Sequence, residues 1–212
     1  MDYALRDLLM FTPEVYLRLF IRVNETLGPW LAVVIAGLAV MGGLLVHPAT
    51  AARRLAFMVM AAGWGLSAAL FMARFYAPIN WPVGWLAWAF AGQALLLVMA
   101  VLRTPPARAG GLPLTVALAV LSVMSLTTAL AAGEWAALAL PGATPDMTAL
   151  TTILMLALLP RGWRWGLLIV PLLWCLFSLL THWALGLWRP LGVPAAGLVL
   201  GLAIGCWPRR RE

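Results

Sequence analysis

The chain has 212 residues, of which 64% are apolar and only 10% are charged, whereas soluble domains average roughly 45–50% apolar residues. Because so few charges cannot cover a water-soluble surface, the composition excludes a soluble fold. It predicts a single all-α domain, residues 1–212, that is a polytopic bundle of transmembrane helices. The formal net charge of +7 comes from scattered arginines, which argues against a nucleic-acid partner and is typical of signals that orient membrane helices.

Residues 1–26 predict an amphipathic helix that lies on the membrane surface and does not cross it. Thr12, Pro13 and Glu14 supply an N-cap hydroxyl, a proline at the first helical position and an acid in the first turn. The side chains separate into two faces, one apolar with Val15, Tyr16, Leu19, Phe20 and Val23, and one charged with Glu14, Arg18, Arg22 and Glu25. The alternative is that this helix only covers the bundle, which is assigned to residues 28–208.

Six long runs without a charged residue predict helices that cross the membrane, since about 20 apolar residues span its core. These runs cover residues 29–46, 55–73, 83–102, 112–132, 165–183 and 191–207. Several tryptophans lie at the edges of the runs, where indole rings favour the headgroup region. Trp64 and Trp174 fall near the middle instead, and a buried indole N–H needs a polar neighbour.

A seventh run, residues 147–159, is short, because its roughly 13 residues make only about 20 Å of helix. It is bracketed by Pro145 and Pro160, and Asp146 is placed to be its N-cap. The preferred topology has seven spans, with this run as a short one. The alternative has six spans plus a re-entrant half-helix. The arginine bias is equal in the two topologies, and both leave the terminal triplet at 209–211 cytoplasmic.

Uncharged polar groups in and around the short run predict a path for a solute. A helix that begins at depth points its positive N-terminal end into the bundle, as discontinuous helices of transporters do. The candidate path residues are Asp146, Thr148, Thr151, Thr152, Asn80, Gln93, Trp174 and His182. The alternatives are that the threonines bond back to their own helix and that Gln93 only ties two helices together. The lack of charge within the runs argues against a carrier driven by protons or sodium.

The sequence predicts no enzyme, no cofactor and no metal site. Ser178 and His182 are four residues apart and close enough to meet, but no Gly-x-Ser-x-Gly elbow or set of oxyanion donors accompanies them. A haem held by His47 and His182 requires both at one membrane face, which only the six-span topology allows.

Three glycines on one face of the last run, Gly197, Gly201 and Gly205, predict a close contact between helices. Packing within the chain is the first interpretation, and Ala61 and Gly65 are a candidate mate. The alternative is a seam with a second copy or with a partner membrane subunit.

Four stretches carry a resemblance to a known family: RFYAPINW at 74–81, FAGQALL at 90–96, PDMTALTT at 145–152 and PLLWCLFS at 171–178. They resemble an uncharacterised bacterial family of integral membrane proteins, a domain of unknown function whose members are sometimes labelled permeases. The resemblance implies a multi-pass protein of the bacterial inner membrane and supplies no catalytic residues. We expect a transporter or channel-like protein for a neutral or weakly polar solute, or alternatively a non-enzymatic subunit of a membrane complex.

Overall fold

The computed structural model describes residues 9–206, and these residues form eight α-helices and no β-strand. The helices are α1 Pro13–Leu27, α2 Trp30–Val46, α3 Thr50–Leu66, α4 Val83–Arg103, α5 Gly111–Ala132, α6 Pro145–Leu156, α7 Arg161–Ala184 and α8 Trp188–Cys206. A π-helix, Ser67–Tyr76, continues α3 without a break, and a 3₁₀ turn, Trp135–Ala137, follows α5. The all-α prediction is confirmed for this part of the chain. The terminal triplet at 209–211 lies outside it.

Five helices are long and apolar enough to cross a membrane: α3 with its π-helix, α4, α5, α7 and α8. Helix α2 has 17 residues and qualifies only when joined to α1, from which it is bent by 95°. Helix α6 has only 12 residues. The lengths therefore agree with a protein that spans the membrane several times.

Helix α1 begins as the sequence predicts, with Thr12 as N-cap and Pro13 at the first helical position. Its charged side chains are exposed, but its apolar face packs on protein, with the Phe20 and Phe71 ring centroids 5.1 Å apart. Val15, which we placed on the apolar face, is 39% exposed. Helix α1 therefore packs over the bundle as a cover, and its position on the membrane surface stays a prediction.

Arginines gather at one end of the bundle, which we call the basic end. They hold the loops and helix ends there, since Arg53 donates to the Pro106 carbonyl at 2.9 Å and Arg164 donates to the Ile204 carbonyl at 3.3 Å. The segment after α6 reaches the same end, because the Ala107 N–H donates to the Leu158 carbonyl at 2.7 Å. Helix α6 therefore ends at the basic end, beside the ends of α4 and α8.

The opposite end holds the end of α5 and the start of α8, where Arg189 donates to the Leu130 carbonyl at 2.7 Å. The chain leaves α5 at this end and completes α6 at the basic end. Residues 133–159 thus pass from one end of the bundle to the other. We call them the broken crossing, because only their second half is α-helical.

The glycine face of α8 packs against α7. A Cβ added at Gly201 would lie 2.6 Å from the Leu172 side chain, and one at Gly205 would lie 2.8 Å from the Trp165 ring. Gly197 meets Cys175 in the same way. The interpretation as packing within the chain agrees with these contacts, but the mate that we named is wrong. Helix α7 supplies the partner because it is the next helix along the chain and runs antiparallel beside α8.

Candidate functional site

The broken crossing carries non-helical backbone through the middle of the bundle. Every residue from 139 to 153 is buried, although residues 138–144, the buried loop, precede the start of α6. Buried N–H and C=O groups need partners wherever water is absent. Asn24 of α1 supplies two bonds, donating from its side-chain amide to the carbonyls of Ala136 at 2.7 Å and Leu138 at 2.9 Å. The sequence offered no signal for this role of Asn24 beyond its being an uncharged polar residue.

Helices α3 and α6 hold the deeper part of the buried loop. Ser67 donates to the Gly142 carbonyl at 3.2 Å, and the Gly142 N–H donates to the Thr148 hydroxyl at 2.8 Å. Gly142 has a φ of +83°, which favours glycine, and its Cα lies so close to α3 that a Cβ on Gly63 would be 2.6 Å from it. The loop can pass α3 only because both positions lack a side chain.

Asp146 lies near the middle of the bundle. Helix α6 reaches from Pro145 to the basic end in 12 residues, or about 18 Å. Trp174, which contacts Asp146, stands 14th in α7, counted from Arg161 at the same end, or about 20 Å along that helix. Two helices therefore place the acid at the same depth.

The expectation that Asp146 is the N-cap of the short helix is wrong. Thr144 is the N-cap, and its hydroxyl donates back to the Leu140 carbonyl at 3.0 Å, so no side chain within residues 9–206 caps α6. Asp146 is the second residue of the helix, and its Oδ1 accepts a hydrogen bond of 2.6 Å from the Trp174 indole N–H. The hydrogen bond from the Trp174 indole to the ionisable carboxyl of Asp146 lies in a dry interior, where it stabilises the fold more than a local N-cap bond of Asp146 would. The predicted polar neighbour of Trp174 is thereby confirmed.

The other carboxyl oxygen of Asp146 faces His182. Asp146 Oδ2 lies 3.8 Å from His182 Nε2, and both side chains are buried, with exposures of 7% and 0%. His182 Nδ1 lies 3.3 Å from the hydroxyl oxygen of Ser178. His182 Nε2 has no hydrogen-bond partner among the described residues. Two facing polar atoms thus lie slightly beyond hydrogen-bond distance in the core.

Tyr16 of α1 covers the histidine, and Tyr76 of the π-helix packs behind it. The Tyr16 ring meets the His182 ring edge-on with centroids 5.4 Å apart, and Tyr76 packs on Tyr16 at 5.8 Å. Phe11 lies over both tyrosines, at 6.0 Å from Tyr16 and 5.7 Å from Tyr76. We call Asp146, Trp174, Ser178, His182, Tyr16 and Tyr76 the Asp146 cluster. The sequence placed Tyr16 on an apolar face and so gave no reason to include it.

The threonines do not line an open path in this structure. Thr148 donates to the Thr144 carbonyl at 2.6 Å and Thr151 donates to the Met147 carbonyl at 2.7 Å, so the alternative of bonding back to the helix describes them. Thr152 accepts a hydrogen bond of 2.7 Å from the Trp64 indole, which confirms the polar neighbour expected for Trp64. All three threonines are buried.

Gln93 lies apart from the Asp146 cluster, whereas Asn80 touches the cluster at Tyr76. The Gln93 amide donates to the Leu167 carbonyl of α7 at 2.9 Å, which is the helix-tying role that we gave as its alternative. Asn80 is half-buried in the turn between the π-helix and α4, where its N–H donates to the Tyr76 carbonyl at 2.9 Å. Of the predicted path, the structure brings the side chains of Asp146, Trp174 and His182 together.

The serine, histidine and aspartate of the cluster do not have the geometry of an oriented catalytic triad in this structure. Ser178 is fully buried, and the 3.8 Å gap leaves His182 without the oriented bond that a base requires. The haem alternative also lacks its geometry, since His47 is exposed beside the basic end and His182 is buried near the other end of α7. The arrangement is suited instead to holding a proton between two buried groups.

Comparisons of the chain with protein-family models, curated proteins and solved structures give no match. The resemblance to a bacterial membrane family stays a prediction.

Proposed function

We propose that the chain is an integral membrane protein with seven crossings, one of which is the broken crossing. Helix α2, with 17 residues, has the minimum length for a span, and α1, bent from it by 95°, would lie along the surface. The basic end would face the cytoplasm under the positive-inside rule. Helix α1 and the start of the broken crossing would then lie on the outer side of a bacterial inner membrane.

We propose that this protein is a small transporter whose working site is the Asp146 cluster. The observation that carries the proposal is a buried aspartate beside a buried histidine, at the start of a half-helix in the middle of the bundle. Acidic and basic groups are costly inside a membrane, and such groups mark substrate or ion paths. Discontinuous helices that begin near the midplane form the sites of many secondary transporters. The solute would be neutral or weakly polar, because the cluster offers few polar atoms.

An open cavity suggests the way in. It has a volume of about 700 Å³ and lies between residues 9–13 and residues 183–186, at the α1 end of the bundle. Phe11 lines this cavity and packs on Tyr16, which covers His182. Transport would therefore require the two aromatic rings to move aside.

The competing proposal is a structural subunit that docks another protein through the glycine face of α8. That face is packed against α7, so its three glycines offer no free seam. The proposal of a subunit loses the feature that motivated it, and the buried acid and histidine have no role in it.

Thiol labelling tests the transport proposal. Ser178→Cys and the control Ala100→Cys are both made with Cys175→Ala and Cys206→Ser; Ser178 and Ala100 are both fully buried. A small membrane-impermeant thiol reagent is applied to the outside of cells and, separately, to inverted vesicles. We expect labelling at position 178 and none at position 100. Equal protection of the two positions from both sides would refute transport through the cluster.

A further inference from the structure

We propose that Asp146 and His182 together bind one proton, and that this proton is the ion coupled to transport. The inference rests on the proposed transport function and names its coupling ion. It reverses the sequence-based argument against proton coupling, which assumed an interior free of carboxylates.

With the Nδ1 hydrogen of His182 donated to Ser178, the contacts leave one place for the shared proton. Asp146 Oδ1 is occupied by the Trp174 indole, and His182 Nδ1 faces the Ser178 hydroxyl. The remaining atoms, Asp146 Oδ2 and His182 Nε2, face each other at 3.8 Å, and Nε2 is unpartnered among the described residues. Closing the gap by about 1 Å gives an ordinary hydrogen bond, with the proton on either atom. Two groups that interact this closely take up and release protons as a pair.

The net charge of the Asp146–His182 pair explains why binding of the proton would be coupled to a conformational change. With one shared proton the pair is neutral overall, as an ion pair or as two neutral groups. With none the pair carries one negative charge, and with two it carries one positive charge. An uncompensated buried charge costs several kcal/mol, so the proton can leave or a second one arrive only when water reaches the pair.

The surroundings of the pair do not supply a compensating charge. Among residues 9–206, the buried titratable side chains near the pair are Tyr16 from α1, Tyr76 from the π-helix and Cys175 from α7, all of which are neutral in their ordinary state near pH 7. The acids and arginines of α1 are on its exposed face. Within residues 9–206, Asp146 and His182 are the acid and the base that are buried.

The aromatic side chains that cover the Asp146–His182 pair identify α1 as the element that would move. Tyr16 packs directly on His182 and belongs to α1, while Phe11 separates Tyr16 from the cavity. Water would reach the pair by displacement of α1 and residues 9–12. Protonation of the pair and the position of α1 are therefore linked.

Nitrogen NMR of the full chain in lipid nanodiscs tests the shared proton. The sequence has only two histidines, so selective ¹⁵N-histidine labelling yields His182 together with the exposed His47 as an internal reference. We expect Asp146→Asn to move the His182 Nε2 signal and its response to pH, and to leave His47 unchanged. An unmoved His182 signal overturns the proposal. If Asp146→Asn does not fold, the infrared band of the Asp146 carboxyl in His182→Gln answers the same question.

Hydrogen exchange tests the coupling to α1. We expect the amides of α1 to exchange faster at the pH extremes where the pair is charged, relative to α4 in the same sample. The double variant Asp146→Asn, His182→Gln should lose this extra dependence, and no difference between it and the natural chain would overturn the coupling. A negative NMR result with continued labelling of Ser178→Cys refutes proton coupling alone. A positive NMR result without that labelling refutes transport.

Discussion

Substituting Gly63 with alanine tests whether the buried loop depends on its close approach to α3. The new Cβ would lie 2.6 Å from the Gly142 Cα, and ordinary contact begins near 3.4 Å, so α3 or the loop must move by about 0.8 Å. The obstructing atom is backbone, which cannot rotate away as a side chain can. Gly65→Ala is the matched control, because no atom outside its own helix lies within 4 Å of the new Cβ.

The magnitude follows from two opposing effects. Both alanines stabilise the helix by roughly 0.5–1 kcal/mol. Forcing a methyl group into a packed contact costs typically about 1–3 kcal/mol, and only Gly63→Ala incurs that cost. We therefore expect Gly63→Ala to unfold at roughly 2–12 °C below Gly65→Ala, at about 2–4 °C per kcal/mol for a chain of this size.

The buried thiol of Cys175 provides the assay. In a Cys206→Ser background, a thiol-reactive dye in detergent solution reports unfolding on heating, because Cys175 is fully buried in the native protein. The Ser178→Cys labelling experiment, repeated with Gly63→Ala, then asks whether the displaced loop alters access to the Asp146 cluster. Equal unfolding temperatures for the two alanine variants would show that the close contact between Gly63 of α3 and Gly142 of the buried loop does not exist.

Three further substitutions test the packing by the same thermal assay. Trp174→Phe removes the donor to a buried Asp146 oxygen and should cost about 1–3 kcal/mol; a neutral effect would contradict the buried hydrogen bond. Asn24→Leu removes the donor to the partly buried carbonyls of Ala136 and Leu138 and should cost about 1–2 kcal/mol. An unchanged unfolding temperature would speak against these two hydrogen bonds. The new methyl group of Gly201→Ala crowds α7, whereas that of Gly192→Ala meets open space. The Gly201→Ala variant should therefore be less stable than Gly192→Ala by about 1 kcal/mol. The reverse order of stability would exclude the packing of α8 on α7.

The sequence predicted most helix positions closely, because the length and polarity of each segment decide them. The runs at 29–46, 83–102 and 112–132 correspond to α2, α4 and α5 within two residues. The run at 55–73 covers most of the segment Ser67–Tyr76, but its π-helical geometry was not predicted, because its apolar pattern does not differ from that of an α-helix. The cap at Thr12 was predictable since a hydroxyl before proline has few other local partners.

The sequence predicted several residues of the site but not how they contact one another. The short run was recognised as unusual, and Asp146, Trp174 and His182 were among its candidate residues. Their mutual contacts join α6 to α7, and Tyr16 arrives from α1 at the other end of the chain. No local pattern encodes such contacts. The cap assigned to Asp146 failed because a local rule ignores a competing indole donor in a distant helix.

The sequence by itself determined that this chain is a bundle of apolar helices with one segment too short to match the others. Those features depend on residue type and spacing, which act over a few turns of helix. Only the tertiary structure decided that the short segment continues a buried loop through the bundle, that α1 packs over the bundle, and that an acid and a base face each other in the core. The physical reason is that a buried polar group bonds to whichever groups the packing brings within a few ångströms, wherever those groups stand in the chain.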